Sequence, residues 1–369
     1  MASTEEHQFP CGTCGSDMRY LPGSDRMHCD HCGAEEEIEG AGPWRQRAIA
    51  EQDFRAALDA PISEAEIEET RILDCPNCGA KVEFEPDTHA AECPFCATPV
   101  VTGTGTHRHI KPRGVLPFAL DERTAREAMT AWLGRLWFAP NGLQSYARKG
   151  RRLQGIYVPY WTFDAATRTE YRGQRGTVHY ETRSVRVRVQ GKTKTRQKRV
   201  AKVRWRAVSG RVARAFDDVL VLASNSLPKR YTDALAPWDL AGLEPYQPEY
   251  LAGFRAEAYQ IELADGFTHA REVMDAQIRR DIKFDIGGDR QRIDRMRTQV
   301  SDVTFKHILL PIWMAAYKYN GKTYRFVVNA RTGAVQGERP WSVWKIAIAV
   351  VLGAIVAATV GYFIAQSQQ

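Results

Sequence analysis

The chain has 369 residues, of which 44% are hydrophobic and 10% aromatic, and its formal net charge is +7. That length accommodates two or three domains, and the apolar and aromatic content excludes a disordered chain. All eight cysteines form two matching sets with none left over, which argues against disulfides and redox dithiols.

The first set is Cys11-x-x-Cys14 with Cys29-x-x-Cys32, and the second is Cys75-x-x-Cys78 with Cys93-x-x-Cys96; fourteen residues separate the inner cysteines of both. Two-residue spacing lets both sulfurs of a knuckle face one ion, and two knuckles complete a tetrahedral four-thiolate site. The reading is two structural zinc ribbons, over 1–40 and 74–102, with two Zn2+ per chain. A ribbon this small cannot fold on apolar burial alone, so the ion supplies much of its folding free energy. Zinc-binding thiolates require a reducing compartment, and residues 1–10 carry no apolar stretch of a secretory signal, so the N-terminal part is expected in the cytosol. Residues 41–73 read as an acidic helical linker. Ser63 is its N-cap, Glu66 completes a capping box, and Ile62 staples onto Ile67.

A third region runs from 115 to 338. Ala125, Met129, Trp132, Leu133 and Leu136 recur at helical spacing over 121–138. Residues 155–171 look strand-like, and alternation over 177–212 predicts a long hairpin turning near Gln190, Gly191 and Lys192. A short strand is expected at 219–224, another at 254–263, and a helix at 265–282. Strands follow at 303–319 and 322–329 around an Asn320-Gly321 turn, with a second turn at Thr332-Gly333. Together these predict a mixed, mainly antiparallel α+β domain.

Charge is concentrated in that hairpin. From Arg183 to Arg214 there are thirteen Lys or Arg and no acid, so the rest of the chain sums to −6. Arg186, Arg188, Lys192, Lys194, Arg196, Lys198, Arg199, Lys202, Arg204 and Arg206 form a candidate surface for anionic partners. Alternation predicts one packed face carrying Val185, Val187 and Val189, and one cationic face. Three roles compete: a solvated face, attraction to anionic headgroups, and tracking of nucleic-acid phosphates with Trp205 stacking a base.

Residues 346–364 contain neither a charge nor a proline. Nineteen helical residues reach about 28 Å, close to the hydrocarbon thickness of a bilayer. Trp341 and Trp344 before the segment and Tyr362 within it suit the two interfaces. Arg339 and Lys345 on the N-terminal side place the bulk of the protein in the cytoplasm. The expectation is a tail-anchored, single-span protein of the inner membrane.

The sequence carries none of the common catalytic signatures. Gly191-Lys192-Thr193 and Gly321-Lys322-Thr323 lack the upstream glycine of a phosphate-cradling loop, and neither a nucleophile elbow nor a zincin motif occurs. Asp281, Asp285 and Asp289 lie around Gly287-Gly288; such a group can bind a divalent ion or act as acid and base, but a helix-ending turn with solvated acids is the expectation. With four cysteines per site, His28, His31, His107 and His109 are not needed as ligands. The expectation is a non-enzymatic protein.

These residues resemble a bacterial family with a TFIIB-like zinc ribbon, a soluble middle and a hydrophobic C-terminus, often labelled "primosomal protein N′-like". The resemblance runs through Cys75-Pro-Asn-Cys-Gly, Cys93-Pro-Phe-Cys, Pro159-Tyr-Trp-Thr-Phe-Asp, Asp285-Ile-Gly-Gly-Asp, Leu309-Leu-Pro-Ile-Trp and Val328-Asn-Ala-Arg-Thr-Gly. It covers most of 75–345. Some relatives are linked to membrane-stress proteins of the PspA and SPFH kinds, so the resemblance implies an adaptor with such a protein partner. This chain departs in carrying a second, more N-terminal ribbon.

Overall fold

The structure is a computed structural model that describes residues 9–40, 42, 49–59, 67–83, 90–96, 98–101, 105–138, 153–189, 192–319, 322–338 and 341–366. The first ribbon is a three-stranded antiparallel sheet of β1 (Met18–Tyr20), β2 (Arg26–Cys29) and β3 (Glu35–Glu37). Then come β4 (Gln52–Asp53) and α1 (Phe54–Asp59), where the Asp53 carboxylate accepts the Ala56 N–H at 2.7 Å. The second ribbon comprises β5 (Ile67–Asp74), β6 (Lys81–Glu83), β7 (Ala90–Glu92), β8 (Pro99–Val101) and β9 (Gly105–Ile110).

The expected acidic helical linker is corrected here. Its helix start at Ser63 lies outside the described residues, and 67–73 is strand, because β5 pairs with the distant β9 from Ile67↔Ile110 to Ile72↔Gly105. The second ribbon therefore spans 67–110 instead of 74–102.

The body continues through β10 (Gly114–Val115) and α2 (Glu122–Gly134), whose N-cap Asp121 accepts the Thr124 N–H at 2.8 Å. Ala125, Met129 and Leu133 face inward, as their spacing predicts. Next are β11 (Gln154–Val189), β12 (Lys192–Leu222), α3 (Lys229–Asp233), β13 (Glu244–Pro245) and β14 (Arg255–Ala256). The chain finishes with α4 (Leu263–Ile286), β15 (Arg290–Tyr319), β16 (Lys322–Asn329), β17 (Val335–Gly337) and α5 (Val343–Gln366). The expected α+β class holds. A nine-stranded, mainly antiparallel sheet runs β12-β11-β15-β10-β13, with β14, β16, β17 and β4 attached beside it.

The strands expected at 155–171, 177–212 and 219–224 are parts of one hairpin, β11 with β12. Its 36-residue first strand reaches on the order of 100 Å, and β15 joins it as a third strand as far as Gly176↔Arg290. Proline is tolerated in two central strands because each lies just beyond its neighbour's last ladder pair. Pro159 follows Tyr160↔Leu222 and its carbonyl accepts the Ala223 N–H; Pro311 follows Ile312↔Asn329 and its carbonyl accepts the Ala330 N–H. At the root of the arm both outer strands bulge opposite Asp164 and Ala165, with Asp218 and Asp302 in the left-handed region (φ 50° and 53°). The expected 254–263 strand shrinks to Arg255–Ala256. Glu257, Ala258 and Gln260 donate to Tyr157, Lys81 and Ala223 in turn, so no single ladder forms.

Neither ribbon is a separate head. Met18, Tyr20 and Met27 share one core with Phe118, Tyr157 and Trp313. On the other face of the sheet, Phe95 and Val82 join Leu116, Ile156 and Leu310. Beyond the body, Ile278, Ile282 and Ile286 of α4 pack on Tyr171 in the arm.

Candidate metal centres

Each knuckle is a tight turn closed by the backbone. Cys11, Cys29, Cys75 and Cys93 donate their N–H groups five residues ahead, to Ser16, Ala34, Ala80 and Thr98, at 2.7–2.9 Å. In three knuckles a glycine follows the second cysteine with φ near +70°: Gly15, Gly33 and Gly79 at 74°, 75° and 72°. That left-handed position strains any side chain, which is why Cys-x-x-Cys-Gly recurs.

These turns bring four sulfurs together in each ribbon. Cys11 Sγ lies 3.6 Å from Cys32 Sγ and Cys14 Sγ 3.6 Å from Cys29 Sγ. In the second ribbon the Cys75–Cys96 and Cys78–Cys93 distances are 3.5 and 3.6 Å. In both sets the ligand atoms all lie within 4.8 Å of one another. A tetrahedral zinc with Zn–S near 2.3 Å requires sulfurs about 3.8 Å apart, whereas a disulfide requires about 2.05 Å. The donor set fits zinc, and all eight cysteines are free thiols. Two sites close enough to hold two zinc ions follow, as the spacing predicts. Bound zinc would cross-link two knuckles and leave no open coordination position.

Within each set the thiols are driven apart, with Cys11 and Cys78 lowered and Cys14, Cys32, Cys75 and Cys93 raised. The N–H groups of Thr13 and then Cys14 lower the Cys11 thiol to about 6. Cys78 is lowered to about 5, first by its contact with Cys93, and the same contact pushes Cys93 up. Four sulfurs this close must share protons or a cation.

The two sites differ in exposure. Cys14 and Cys32 are exposed, whereas Cys75, Cys93 and Cys96 are buried and Cys78 half-buried. Glu257 lies beside the second ribbon, forming a β-bridge with Val82. It accepts Ser224 Oγ and Gln260 Nε2 at 2.8 and 3.0 Å, and also the Ser226 hydroxyl. Burial pushes its carboxyl up to about 8.

A third group was not foreseen from sequence. Glu51, Asp164 and Asp218 converge at the bulged root of the arm. Lys306 Nζ sits 3.1 Å from Glu51 and 2.8 Å from Asp218, so a lysine supplies the positive charge there. These residues come from three strands and the linker, and no sequence spacing announces them.

The cationic hairpin is only partly as expected. Register sets Val185, Val187 and Val189 opposite Arg196, Lys194 and Lys192, and Arg186 and Arg188 opposite Thr195 and Thr193. The valine row thus shares its face with basic positions; Val185 is 39% exposed and does not pack, and the side chains of Val187 and Val189 lie outside those the structure describes. Lys202 pairs with Glu181 at 2.5 Å and Arg199 lies over Tyr180 at 4.9 Å. Lys198, Arg204 and Arg206 sit opposite Arg183, Thr177 and Arg175. Nearer the root, Arg172 sits directly opposite Arg295, and Arg168, Arg211 and Arg297 surround Glu170 in a shallow groove.

Asp281, Asp285 and Asp289 each have a structural partner. Asp281 accepts Arg214 at 2.6 Å, Asp285 accepts the Tyr171 hydroxyl, and Asp289 accepts the Val178 N–H at 2.7 Å. They clasp α4 to the arm. The strings that carry the family resemblance are likewise structural, since Pro159 pairs with Leu309 and Trp313 with Val328 in the central sheet.

Comparison with known proteins gives one distant relative. The chain is 26% identical over 348 residues, 92% of each chain, to "Uncharacterized protein YdjG" of Bacillus subtilis (strain 168). It matches no family model and no solved structure.

Proposed function

We propose that the chain is a non-enzymatic, tail-anchored zinc-ribbon adaptor on the cytoplasmic face of the inner membrane, serving membrane-stress or membrane-organisation complexes. The observation that carries this reading is the pairing of two four-cysteine sites with an apolar helix. Val343–Ile364 is long and apolar enough to cross a membrane, and none of it is buried against the protein. Left in water, that apolar surface would drive aggregation; in lipid it is satisfied. Closed zinc sites stiffen surfaces and do not activate water. Lys345 and Arg339, on the N-terminal side of the helix, support a cytoplasmic body. The PspA-like or SPFH-like identity of a partner rests on family resemblance alone.

Two measurements test the reading. After alkaline carbonate washing the full-length chain should stay with membranes, with its ribbons open to protease from the cytoplasmic side only. Affinity purification from solubilised membranes should capture a membrane-stress protein. Release by carbonate sinks the anchor, and capture of no such protein sinks the adaptor role.

A nucleic-acid role is the second reading. It is favoured by the directly opposed Arg172 and Arg295, a like-charge pair that destabilises the sheet, although Arg292, 4.3 Å over the Trp205 ring, already covers one face of the ring expected to stack a base. It predicts salt-sensitive binding of a single-stranded oligonucleotide by the full chain in zwitterionic nanodiscs. No binding at about 150 mM salt removes it.

A further inference from the structure

Two stretches of chain about 200 residues apart in sequence meet where α5 begins. The first is Trp137-Phe138, just past the end of α2. The second is Trp341 to Lys345, the last loop residues and first turn of the apolar helix. The Ser342 N–H donates to the Phe138 carbonyl at 2.8 Å, and Lys345 Nζ donates to the Trp137 carbonyl at 3.1 Å. The Phe138 and Trp341 rings lie 6.3 Å apart. These contacts fix the height of Trp137 along the helix axis, level with Ser342 to Lys345.

Trp137 does nothing for the fold at that position. It is 81% exposed, the most exposed tryptophan among the described residues, and Trp344, next to Lys345 in the chain, is 77% exposed. The residues of α2 that do pack, Ala125, Met129 and Leu133, are buried in the core shared with the first ribbon, and the helix ends at Gly134, before Trp137. A large amphipathic ring held in water is unfavourable, and the same ring at the level of lipid headgroups is stabilised. Since the uncharged stretch begins at Ile346, the level of Ser342 to Lys345 is within one helical turn of the hydrocarbon boundary.

We infer that the C-terminal end of α2, through Trp137 and Phe138, is a second membrane contact that seats the body on the headgroup region of the bilayer. This rests on the proposed span and adds to it. A lone span reached through a short connector would let the body tilt freely. A span plus an aromatic foot, tied by two hydrogen bonds, holds the body in one posture. The occupant is lipid because the site is continuous with the apolar helix, and because four aromatic residues lie at its entry, the Phe138 and Trp341 rings 6.3 Å apart and Trp137 and Trp344 exposed. The posture also decides which way the arm points, since α2 packs on β16 and β17 at the base of the same sheet that extends into the arm.

The test uses the full chain in lipid nanodiscs with its nine tryptophans labelled as fluorotryptophan. Trp137→Phe, Trp344→Phe and Trp161→Phe assign three fluorine resonances by their loss. Because Trp137 is exposed, replacing it leaves the fold intact. Spin-labelled lipid carrying its nitroxide near the headgroup is then added. The expected result is that the Trp137 and Trp344 resonances both broaden beyond detection while that of the fully buried Trp161 stays sharp. If Trp344 broadens and Trp137 does not, the span stands and the second contact is refuted. If neither broadens, the span reading falls and the seat falls with it.

Discussion

The two ribbons have the same cysteine spacing and different surroundings. In the first, two of the four sulfurs face solvent, and it meets the body along one side through Tyr20, Met18 and Met27. In the second, three sulfurs are buried, and Phe95, between Cys93 and Cys96, is fully enclosed by the body. The metal-binding pattern therefore says what each module binds, and packing decides how far the rest of the protein depends on it. Both ribbons add side chains to the core, but the metal site of the first is half open to solvent and that of the second is enclosed.

The sharpest way to break that difference is to remove one ligand from each. Cys93→Ser should lower zinc content from two ions to one and abolish cooperative unfolding of the body, since structural zinc contributes on the order of 10 kcal/mol. Cys14→Ser, at an exposed sulfur, should lose its ion with a smaller drop in melting temperature. Equal drops measured by calorimetry would erase the distinction. Next in size is Phe95→Ala, which should cost about 3–5 kcal/mol in denaturant unfolding, because the enclosed ring leaves a cavity that neighbours cannot fill. A cost near zero would show that the second ribbon is not joined to the core.

The smallest effect is in pH. Glu257 is buried and its carboxyl is raised from the ordinary 4.5 to about 8. A raised carboxyl binds its proton more tightly in the folded state, so its contribution is fully present below about 4.5 and lost as pH rises through 8. His307, held neutral down to about 3 by burial, has the opposite slope below its ordinary 6.5. Between pH 6.5 and 8 the wild-type protein should therefore lose stability relative to Glu257→Gln, which keeps the hydrogen bonds without the titration. Parallel denaturation midpoints across that window would contradict the assignment.

What was legible in sequence was local. Cysteine spacing revealed both metal sites, helical periodicity revealed α2 and α4, and an uncharged run revealed α5. Pairing between distant segments was not legible. The first half of β15 went unread because a bulge between Arg172 and Gly173 adds a residue, so its inward positions Ile293 and Met296 lie three apart instead of two. A similar insertion at Asp218 made β12 look like two strands. Residues 67–73 carry no strand signal of their own, and pairing with β9 along most of their length, and with β6 at their end, makes them one. The opposed Arg172 and Arg295, and the Lys306 cluster with Glu51 and Asp218, exist only once register is set.

The most direct test of the account is elemental analysis of the purified full-length chain, combined with titration of its thiols before and after unfolding in chelator. Two zinc ions per chain are expected, with eight titratable cysteines once the metal is removed. One ion or none, or cysteines lost to disulfides in the freshly purified protein, would contradict it.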